Sequence, residues 1–320
     1  MTEKTNLQSK IHSASAGHLL LDYVSQRFRY QTRDHWQEMI EEGYLTLNGK
    51  KANPETILRS GDLVSYQTVL NEPEVDKNIQ IIHDEKSFLI ADKPGWLPSH
   101  SDGNFIKNTF IYLIREKLKA QGWGGQAHLV HRLDRETSGL MVVAKSREAA
   151  RSLARQFETG QVKKTYSAIV QGVVTHDFFE VDGSIGPDPQ SQISVRRALQ
   201  PEGEPGGQRA FTQFEVLRRM AGSTLVLCKP QTGRTGQIRV HLASQGHPLV
   251  HDKLYGRTDE EFLEFVRQSK AGWSDENGGR PPRHFLHAGR LELLHPLTGQ
   301  ALEFESNWPD DMRAFLEKEP

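Results

Sequence analysis

The sequence predicts an α+β protein whose sheet is mixed and largely antiparallel. From Ile79 onward, short extended segments dominate and few of them alternate with helices, which is the order expected of an α+β domain rather than of a parallel α/β sheet. The content of 36% hydrophobic and 25% charged residues is ordinary for a soluble globular protein. A chain of 320 residues can hold one large domain preceded by a small one.

Composition shifts along the chain predict its domain organisation. The first residues are polar and lack periodicity, and the segment NEPEVDKN is polar and contains a proline, which is typical of a linker. We therefore predict four parts: a flexible tail over residues 1–10, a small α/β domain over 11–70, a linker over 71–78 and a large domain over 79–320.

The small domain is predicted to contain two helices followed by short strands. Apolar residues recur at helical spacing from Leu20 onward, which indicates the first helix. Thr32 can cap the second helix, which ends at Gly43. The dipeptide Asn48-Gly49 is typical of a tight hairpin turn between strands.

The large domain shows clearer strand and helix patterns. The segment KTYSAIVQGVV alternates, so that Lys164 and Tyr166 share one face of a predicted strand. Ser146 can cap a helix with an apolar stripe. Further segments are predicted as two strands in IQIIHDEKSFLIADKP, strands in AHLVHRLD and GLMVVAKS, a hairpin-like pair in FTQFEVLRRM and STLVLCKP, a glycine-rich turn and short helix in QTGRTGQIRVHLASQG, and an acidic helix in TDEEFLEFVRQSK.

Charge is unevenly distributed although the net charge is only −1. From Leu217 to Arg257, seven basic residues and one acidic residue give a net charge of +6. From Leu291 to the end, seven acidic and two basic residues give −5. Such a split predicts one positive face that meets an anionic ligand.

Several features of the sequence predict a cytoplasmic protein. The polar start MTEKTNLQSK has no apolar core of a signal peptide, and no apolar run reaches the ~18 residues of a membrane span. A single cysteine, Cys228, excludes an internal disulfide and a cysteine-based zinc cluster. The histidines lack accompanying cysteine or carboxylate ligands at metal-binding spacing, so we expect no metal. Because no apolar run is long enough to span a membrane, we expect no membrane partner either.

The stretch HRLDRETSGL, residues 131–140, holds the clearest chemical signal. It places Asp134 between Arg132 and Arg135, immediately before a Thr-Ser-Gly turn. A surface ion pair is one interpretation, and such pairs contribute little to stability. The alternative is a carboxylate that stays ionised because its negative charge takes part in a reaction.

Four stretches in this order resemble the motifs of the RluA-type family of pseudouridine synthases. They are HRLDRETSGLMVVAKS, KKTYSAIVQG, LCKPQTGRTGQIRVHLASQGHPLVHDKLYG and FLHAGRLELLHPLTG, the last followed by LEFESNWPDDM. In front of them, two helices followed by the LNGKK turn and a Gly-Asp pair resemble an S4 RNA-binding domain, although the Arg-Leu pair that usually leads such a domain is absent.

The resemblance implies a cofactor-free isomerase that converts uridine in RNA to pseudouridine. Asp134 matches the family's nucleophile or charge stabiliser, which acts as the N1–C1′ bond of uridine breaks and before C5 rejoins C1′. Arg239 matches the arginine that pairs with this aspartate. Tyr166 matches the tyrosine that stacks on the target base and assists proton removal.

The resemblance also implies residues that bind RNA. Arg132 matches an arginine that enters the RNA stack where the target nucleotide leaves. In the S4-like domain, basic residues are interleaved with Phe28 and Tyr30, but acidic residues equal them in number, so its affinity for RNA would be local. The predicted RNA-binding residues besides Arg132 are Arg27, Arg29, Arg33, Lys50, Lys51 and Arg234.

One position departs from the family pattern, and several alternatives stay open. Gly236 stands where a histidine is expected, which alters the side chains near the site. Ribosomal RNA is the favoured substrate because of the S4-like domain, transfer RNA is the alternative, and a monomer is expected. A second hypothesis is a non-catalytic RNA-binding or RNA-folding factor. A glycosidase-like hydrolase is disfavoured, because no second acid stands at the matching motif positions.

Overall fold

The computed structural model describes residues 4–28, 31–69, 72–102, 105–270 and 281–319. The chain forms two compact units, the first comprising residues 1–74 with 101–108 and the second residues 75–100 with 109–320. Each combines helices with a mainly antiparallel sheet. The predicted α+β class is therefore confirmed.

In its described residues, the first unit packs two α-helices against a four-stranded antiparallel sheet of order β1-β4-β2-β3. Trp36 lies at the centre of its core, where it packs with Leu20, Ile40 and Tyr66. The elements are β1 Lys4–Lys10, α1 Leu20–Arg27, α2 Arg33–Glu41, β2 Leu45–Leu47, β3 Lys50–Lys51 and β4 Leu63–Val69.

Local signals in the first unit act as the sequence predicts. The Thr32 hydroxyl accepts a hydrogen bond from the backbone N–H of His35 at 3.2 Å, so it caps α2. Asn48 and Gly49 adopt positive φ angles of 52° and 75° and form the turn between β2 and β3.

The prediction of a flexible tail is wrong for residues 4–10. These residues form β1 and pair with β4 in antiparallel register, from Lys4 opposite Val69 to Lys10 opposite Leu63. Their strand character is hidden in the sequence because Leu7 is the one large apolar residue in KTNLQSK, and it packs against the core. The backbone hydrogen bonds to β4 order the segment despite its polar composition.

Part of the predicted linker is also fixed within the first unit. The Glu72 carboxylate accepts hydrogen bonds from the backbone N–H groups of Ile106, Lys107 and Asn108 at 2.9, 2.8 and 2.7 Å. A carboxylate with three backbone donors is strongly held, because each bond is charge-assisted.

The second unit is built on a sheet in which eleven strands are described. Its path runs β11-β10-β12-β13-β9-β14-β8-β6-β5, with β15 paired to β14 and β7 paired to β8. The elements are β5 Gln80–Asp84, β6 Phe88–Lys93, α3 Phe110–Ala120, β7 His128–Leu129, β8 Ser138–Ala144, α4 Arg147–Glu158, β9 Lys163–Gln171, β10 Phe178–Pro187, β11 Arg197–Gln200, β12 Gln208–Arg219, β13 Ser223–Pro230, α5 Gln237–Ser244, α6 Asp259–Lys270, β14 Leu286–Leu294, β15 Ala301–Glu305 and α7 Asp310–Lys318.

The pairing of β14 with β8 joins two parts of this sheet. It is parallel, unlike the other pairings described, and it has two residue pairs, His287 with Ser138 and Ala288 with Gly139. Gly139 has φ 116°, and a Cβ there would lie 2.4 Å from the Ala288 carbonyl oxygen. The glycine therefore allows the two backbones to approach closely. The prediction of a Thr-Ser-Gly turn is wrong, because Ser138 and Gly139 are the first residues of strand β8.

None of the helices in the described ranges combines the length and the apolar character that crossing a membrane requires.

Candidate active site

A cleft of about 410 Å³ lies in the second unit. Its walls come from segments far apart in sequence, so the fold brings them together. They are the loop before β8 (Val130–Asp134 and Thr137), the end of α4, the β9 residues Lys164 and Tyr166, Leu286, and the turn into α5 (Pro230–Arg239).

Asp134 and Arg239 meet in this cleft. Arg239 Nη1 donates a hydrogen bond to Asp134 Oδ2 at 3.0 Å, although the two residues are 105 positions apart. The Asp134 side chain keeps 29% of its accessible surface, whereas that of Arg239 keeps 15%. The carboxylate is thus paired with a fixed cation and still open to a ligand.

Arg239 has a second carboxylate partner that is fully buried. Its Nε and Nη2 donate to the two Asp252 oxygens at 2.7 and 2.8 Å. The backbone N–H groups of Leu254 and Tyr255 donate to the same carboxylate at 2.9 and 3.0 Å. This bidentate contact fixes the plane of the guanidinium and directs Nη1 at Asp134.

The charges of this group stabilise one another. Burial alone would raise the pKa of Asp252, but the charge and hydrogen bonds of Arg239 outweigh it and hold the pKa well below its usual value. Burial opposes the charge on Arg239 as well, yet Asp252 and then Asp134 keep its pKa well above the usual value. Asp252 and Arg239 are therefore both ionised near neutral pH.

Tyr166 extends from β9 into the same cleft. Burial, followed by the negative charge of Asp134, raises the pKa of its phenol far above the usual value. At neutral pH the side chain is a neutral phenol, which offers an aromatic face and a hydrogen-bond donor but is not a resting base.

Buried side chains hold the loop that carries Asp134. Lys93 is fully buried, and its ammonium donates to the carbonyl oxygens of Pro94, Leu97 and Arg135 at 2.8, 2.9 and 3.3 Å. Burial, followed by the charge of Arg283, lowers the pKa of Lys93 to about 7.

Ser99 and Thr137 hold the loop on either side of Asp134. The Ser99 hydroxyl donates to the Leu133 carbonyl at 2.6 Å and accepts from the Leu133 N–H at 3.1 Å. The Thr137 hydroxyl bonds His284 Nε2 at 2.9 Å. A loop with this many contacts presents its carboxylate in one geometry.

Comparisons with known proteins place this arrangement in a family. A family model described as RNA pseudouridylate synthase matches residues 87–244. The chain is 35% identical to ribosomal large subunit pseudouridine synthase D of Nitrosomonas europaea, over 94% of this chain and 84% of that protein. The chain belongs to the RluA-type family of RNA pseudouridine synthases.

Other relatives agree with this assignment. The synthase is 31% identical to ribosomal large subunit pseudouridine synthase D of Pseudomonas aeruginosa, over 97% of this chain and 95% of that protein. The solved structure of human RNA pseudouridylate synthase domain containing 4 aligns with a TM-score of 0.59 at 28% identity, covering 75% of this chain and 92% of that one. The synthase is thus an enzyme that acts on RNA.

The structure separates the predicted RNA-binding residues into two sets. Arg132 and Arg234 are exposed and line the cleft of the synthase. The others belong to the first unit, where Arg33 pairs with Asp22 at 2.6 Å. In that unit Arg27, Lys50 and Lys51 are exposed, and Arg29 lies outside the described residues.

Two expectations about RNA contacts need correction. Phe28 packs against Trp36 and Tyr66 in the core of the first unit, so it is not placed to stack on RNA, and Tyr30 lies outside the described residues. The basic stretch from Leu217 to Arg257 does not form one free positive face. Four of its seven cations are in ion pairs within the second unit: Arg219 with Asp177, Lys229 with Glu215, Arg239 with Asp134 and Asp252, and Lys253 with Glu136.

Gly236 takes the position of the expected histidine at the N-cap of α5. Its φ is 66°, and a Cβ there would lie 3.2 Å from Tyr255 Oη. The Tyr255 ring in turn lies 4.9 Å from the Arg239 guanidinium carbon. The glycine therefore lets the Tyr255 hydroxyl pack close to this turn. The ring of Tyr255 at the same time makes a cation–π contact with Arg239.

Proposed function

We propose that this enzyme converts specific uridines of large-subunit ribosomal RNA to pseudouridine, with Asp134 as the reacting carboxylate. The observation that carries the proposal is the 3.0 Å contact between Asp134 and Arg239 inside a cleft that also holds Tyr166. The names of the two bacterial relatives, which are ribosomal large subunit synthases, support this substrate class over transfer RNA.

The proposed reaction is an isomerisation in which all atoms of the uridine are retained. The Asp134 carboxylate attacks C1′ or stabilises its positive charge while the N1–C1′ bond breaks and the bonding electrons leave with N1. The freed uracil turns and C5 forms a bond to C1′. Where the Asp134 carboxylate has bonded to C1′, its O–C1′ bond breaks in this step and the carboxylate is regenerated. The proton on C5 is then lost and a proton is gained at N1, which completes pseudouridine.

Tyr166 and Arg132 have supporting roles in this proposal. Because the Tyr166 phenol is neutral at rest, it stacks on the uracil and relays the C5 proton rather than acting as a preformed base. Arg132 is exposed at the cleft, where its guanidinium can occupy the space that the flipped nucleotide leaves in the RNA.

We further propose that the first unit is an S4-like RNA-binding domain and that the enzyme works as a monomer. Support comes from the two helices beside a small sheet and from Lys50 and Lys51, which are exposed on the hairpin strand β3. Lysines in this position can contact phosphates without reading sequence.

Pseudouridine mapping tests the substrate assignment. Total RNA from cells with and without this protein is compared by chemical detection of pseudouridine at single-nucleotide resolution. We expect one or a few sites to be lost from large-subunit ribosomal RNA, and purified enzyme to restore them in an unmodified transcript. Loss of sites only from transfer RNA would identify the alternative substrate, and an unchanged map would contradict the proposal.

The first unit is tested by the dependence of RNA binding on salt. A Lys50→Gln/Lys51→Gln variant should bind the substrate transcript with a slope of log affinity against log salt that is shallower by about 1–2, since each lost phosphate contact releases fewer counterions. The matched control is Lys117→Gln/Lys119→Gln, which removes two exposed lysines from α3. Equal slopes for the two variants would show that Lys50 and Lys51 do not contact the RNA.

A further inference from the structure

Lys164 lies in the cleft without an assigned role. It is half-buried on β9, two residues before Tyr166 and on the same face of the strand. Its Nζ lies 3.4 Å from the carbonyl oxygen of Thr232, a long hydrogen bond, and a Cβ built on Gly233 would lie 3.7 Å from it. The ammonium thus sits against the turn that leads into α5.

This ammonium has no carboxylate partner within the part of the chain that the structure describes. Among the described residues, no Asp or Glu oxygen lies within the 4.0 Å ion-pair distance of Lys164 Nζ. Burial, followed by the positive charge of Arg234, lowers the pKa of Lys164. A cation that is partly desolvated and close to another cation is unfavourable unless an anion binds between them.

Arg234 is the second cation of this pair. Its Nε donates to the backbone carbonyl of Arg209 at 3.0 Å, and no ion pair to a described carboxylate is formed. Arg239, in contrast, is committed to Asp134 and Asp252. The cleft therefore contains one cation that is paired with Asp134 and three, Arg132, Lys164 and Arg234, for which no ion pair with a described carboxylate is formed. Of these three, Lys164 and Arg234 lie together at the turn into α5.

We propose that Lys164, together with Arg234, binds a phosphate that flanks the flipped uridine. This inference rests on the proposed function, because a uridine within RNA brings a phosphate on each side of its ribose. Two unneutralised cations beside the cleft can hold one such phosphate while C1′ faces Asp134. The contact fixes the nucleotide through its backbone and leaves the uracil free to turn.

A binding experiment tests the phosphate contact without relying on catalysis. The affinities of uridine, uridine 5′-monophosphate and uridine 3′-monophosphate are measured by NMR titration on the full-length protein. We expect wild type to bind one monophosphate about 10-fold more tightly than uridine, since a charge-assisted hydrogen bond is gained. Lys164→Gln should reduce this preference to less than about twofold, and Lys164→Arg should retain most of it.

Lys163→Gln is the matched control. Lys163 is the adjacent residue on β9, is exposed, and does not line the cleft that holds Asp134, so this variant should keep the preference for the monophosphate. Thermal melting of each variant establishes that it is folded. Equal binding of uridine and both monophosphates by wild type, or a Lys164→Gln variant that keeps the preference, would overturn the assignment of the phosphate site.

The same contact can be measured in the reaction itself. A methylphosphonate, which is uncharged, replaces either phosphate beside the mapped uridine of a transcript. For one of the two positions we expect single-turnover kcat/KM of wild type to fall about 10-fold, and that of Lys164→Gln to show no further loss with the neutral linkage. If the loss from the neutral linkage and the loss from Lys164→Gln were additive, a direct contact between Lys164 and that phosphate would be contradicted. If the wild-type enzyme modified no RNA, this result would count against the proposed function. The nucleotide-binding experiment would then test the role of Lys164 by itself.

Discussion

Asp134→Asn is expected to lower the single-turnover rate of pseudouridine formation by about 10⁴-fold or more while RNA affinity changes less than about threefold. The amide has nearly the same shape and can still accept the hydrogen bond from Arg239 Nη1, but it has no negative charge to place at C1′. The rate is measured on the mapped transcript with enzyme in excess, and affinity by filter binding.

Asp310→Asn is the matched control for this substitution. Asp310 is 93% exposed on α7, so loss of its charge should leave both the rate and the affinity unchanged. Pseudouridine formation by Asp134→Asn near the wild-type rate would refute the role of this carboxylate. Loss of RNA binding together with activity would indicate that Asp134 contacts the RNA rather than reacting with it.

Arg239→Met is expected to remove activity and to lower the free energy of unfolding by about 3–5 kcal/mol. The stability loss has its origin in Asp252, whose side chain is fully buried and would lose its charged partner. Denaturant titration measures the free energy, and the single-turnover assay measures activity.

Adding Asp252→Asn to Arg239→Met separates the two roles of the arginine. The double variant should recover part of the lost stability, because no buried charge is left unpaired, but it should stay inactive because Asp134 has lost its cation. Full stability in Arg239→Met alone would show that the contact with Asp252 contributes little. Recovery of activity in the double variant would contradict the role of Arg239 at Asp134.

The pH dependence of stability gives an independent measure of the same contact. The pKa of Asp252 is lower in the folded protein than the value of about 3.9 in an unfolded chain. Its contribution is therefore fully present above about pH 5 and is lost as the pH falls toward the folded value. The stability gap between wild type and the double variant should be constant from pH 5 to 8 and narrow below pH 4.

Local sequence signals predicted much of the fold correctly. The Thr32 and Ser146 hydroxyls cap their helices, and the FTQFEVLRRM and STLVLCKP segments pair as β12 and β13. Each of these features depends on a few neighbouring residues. Helix α3 has similar local signals: Thr109 caps it, and its buried Phe110, Ile114 and Leu118 have helical spacing.

Partners that are distant in sequence were harder to predict. The contact of Asp134 with Arg239 is expected from motif resemblance alone, because 105 positions separate the two side chains. Asp252 was counted only as the one acid in a basic stretch, because its value depends on burial and on the guanidinium it faces. The contacts of Lys93 could not be predicted either, because one of the three carbonyl groups that accept from its ammonium belongs to the distant residue Arg135.

The two-residue parallel pairing of β14 with β8 places the two main candidate site residues on either side of one short junction. Asp134 precedes β8 on one side of that junction, and Tyr166 lies in β9 on the other. Additions at the outer strands, such as β10 and β11, can diversify the surface offered to RNA without altering the spacing of the reacting groups. A larger residue at Gly139 would separate the two halves of the site at once. We therefore expect substitutions in the outer strands to change RNA recognition and substitutions at the junction of β8 with β14 to change the chemistry.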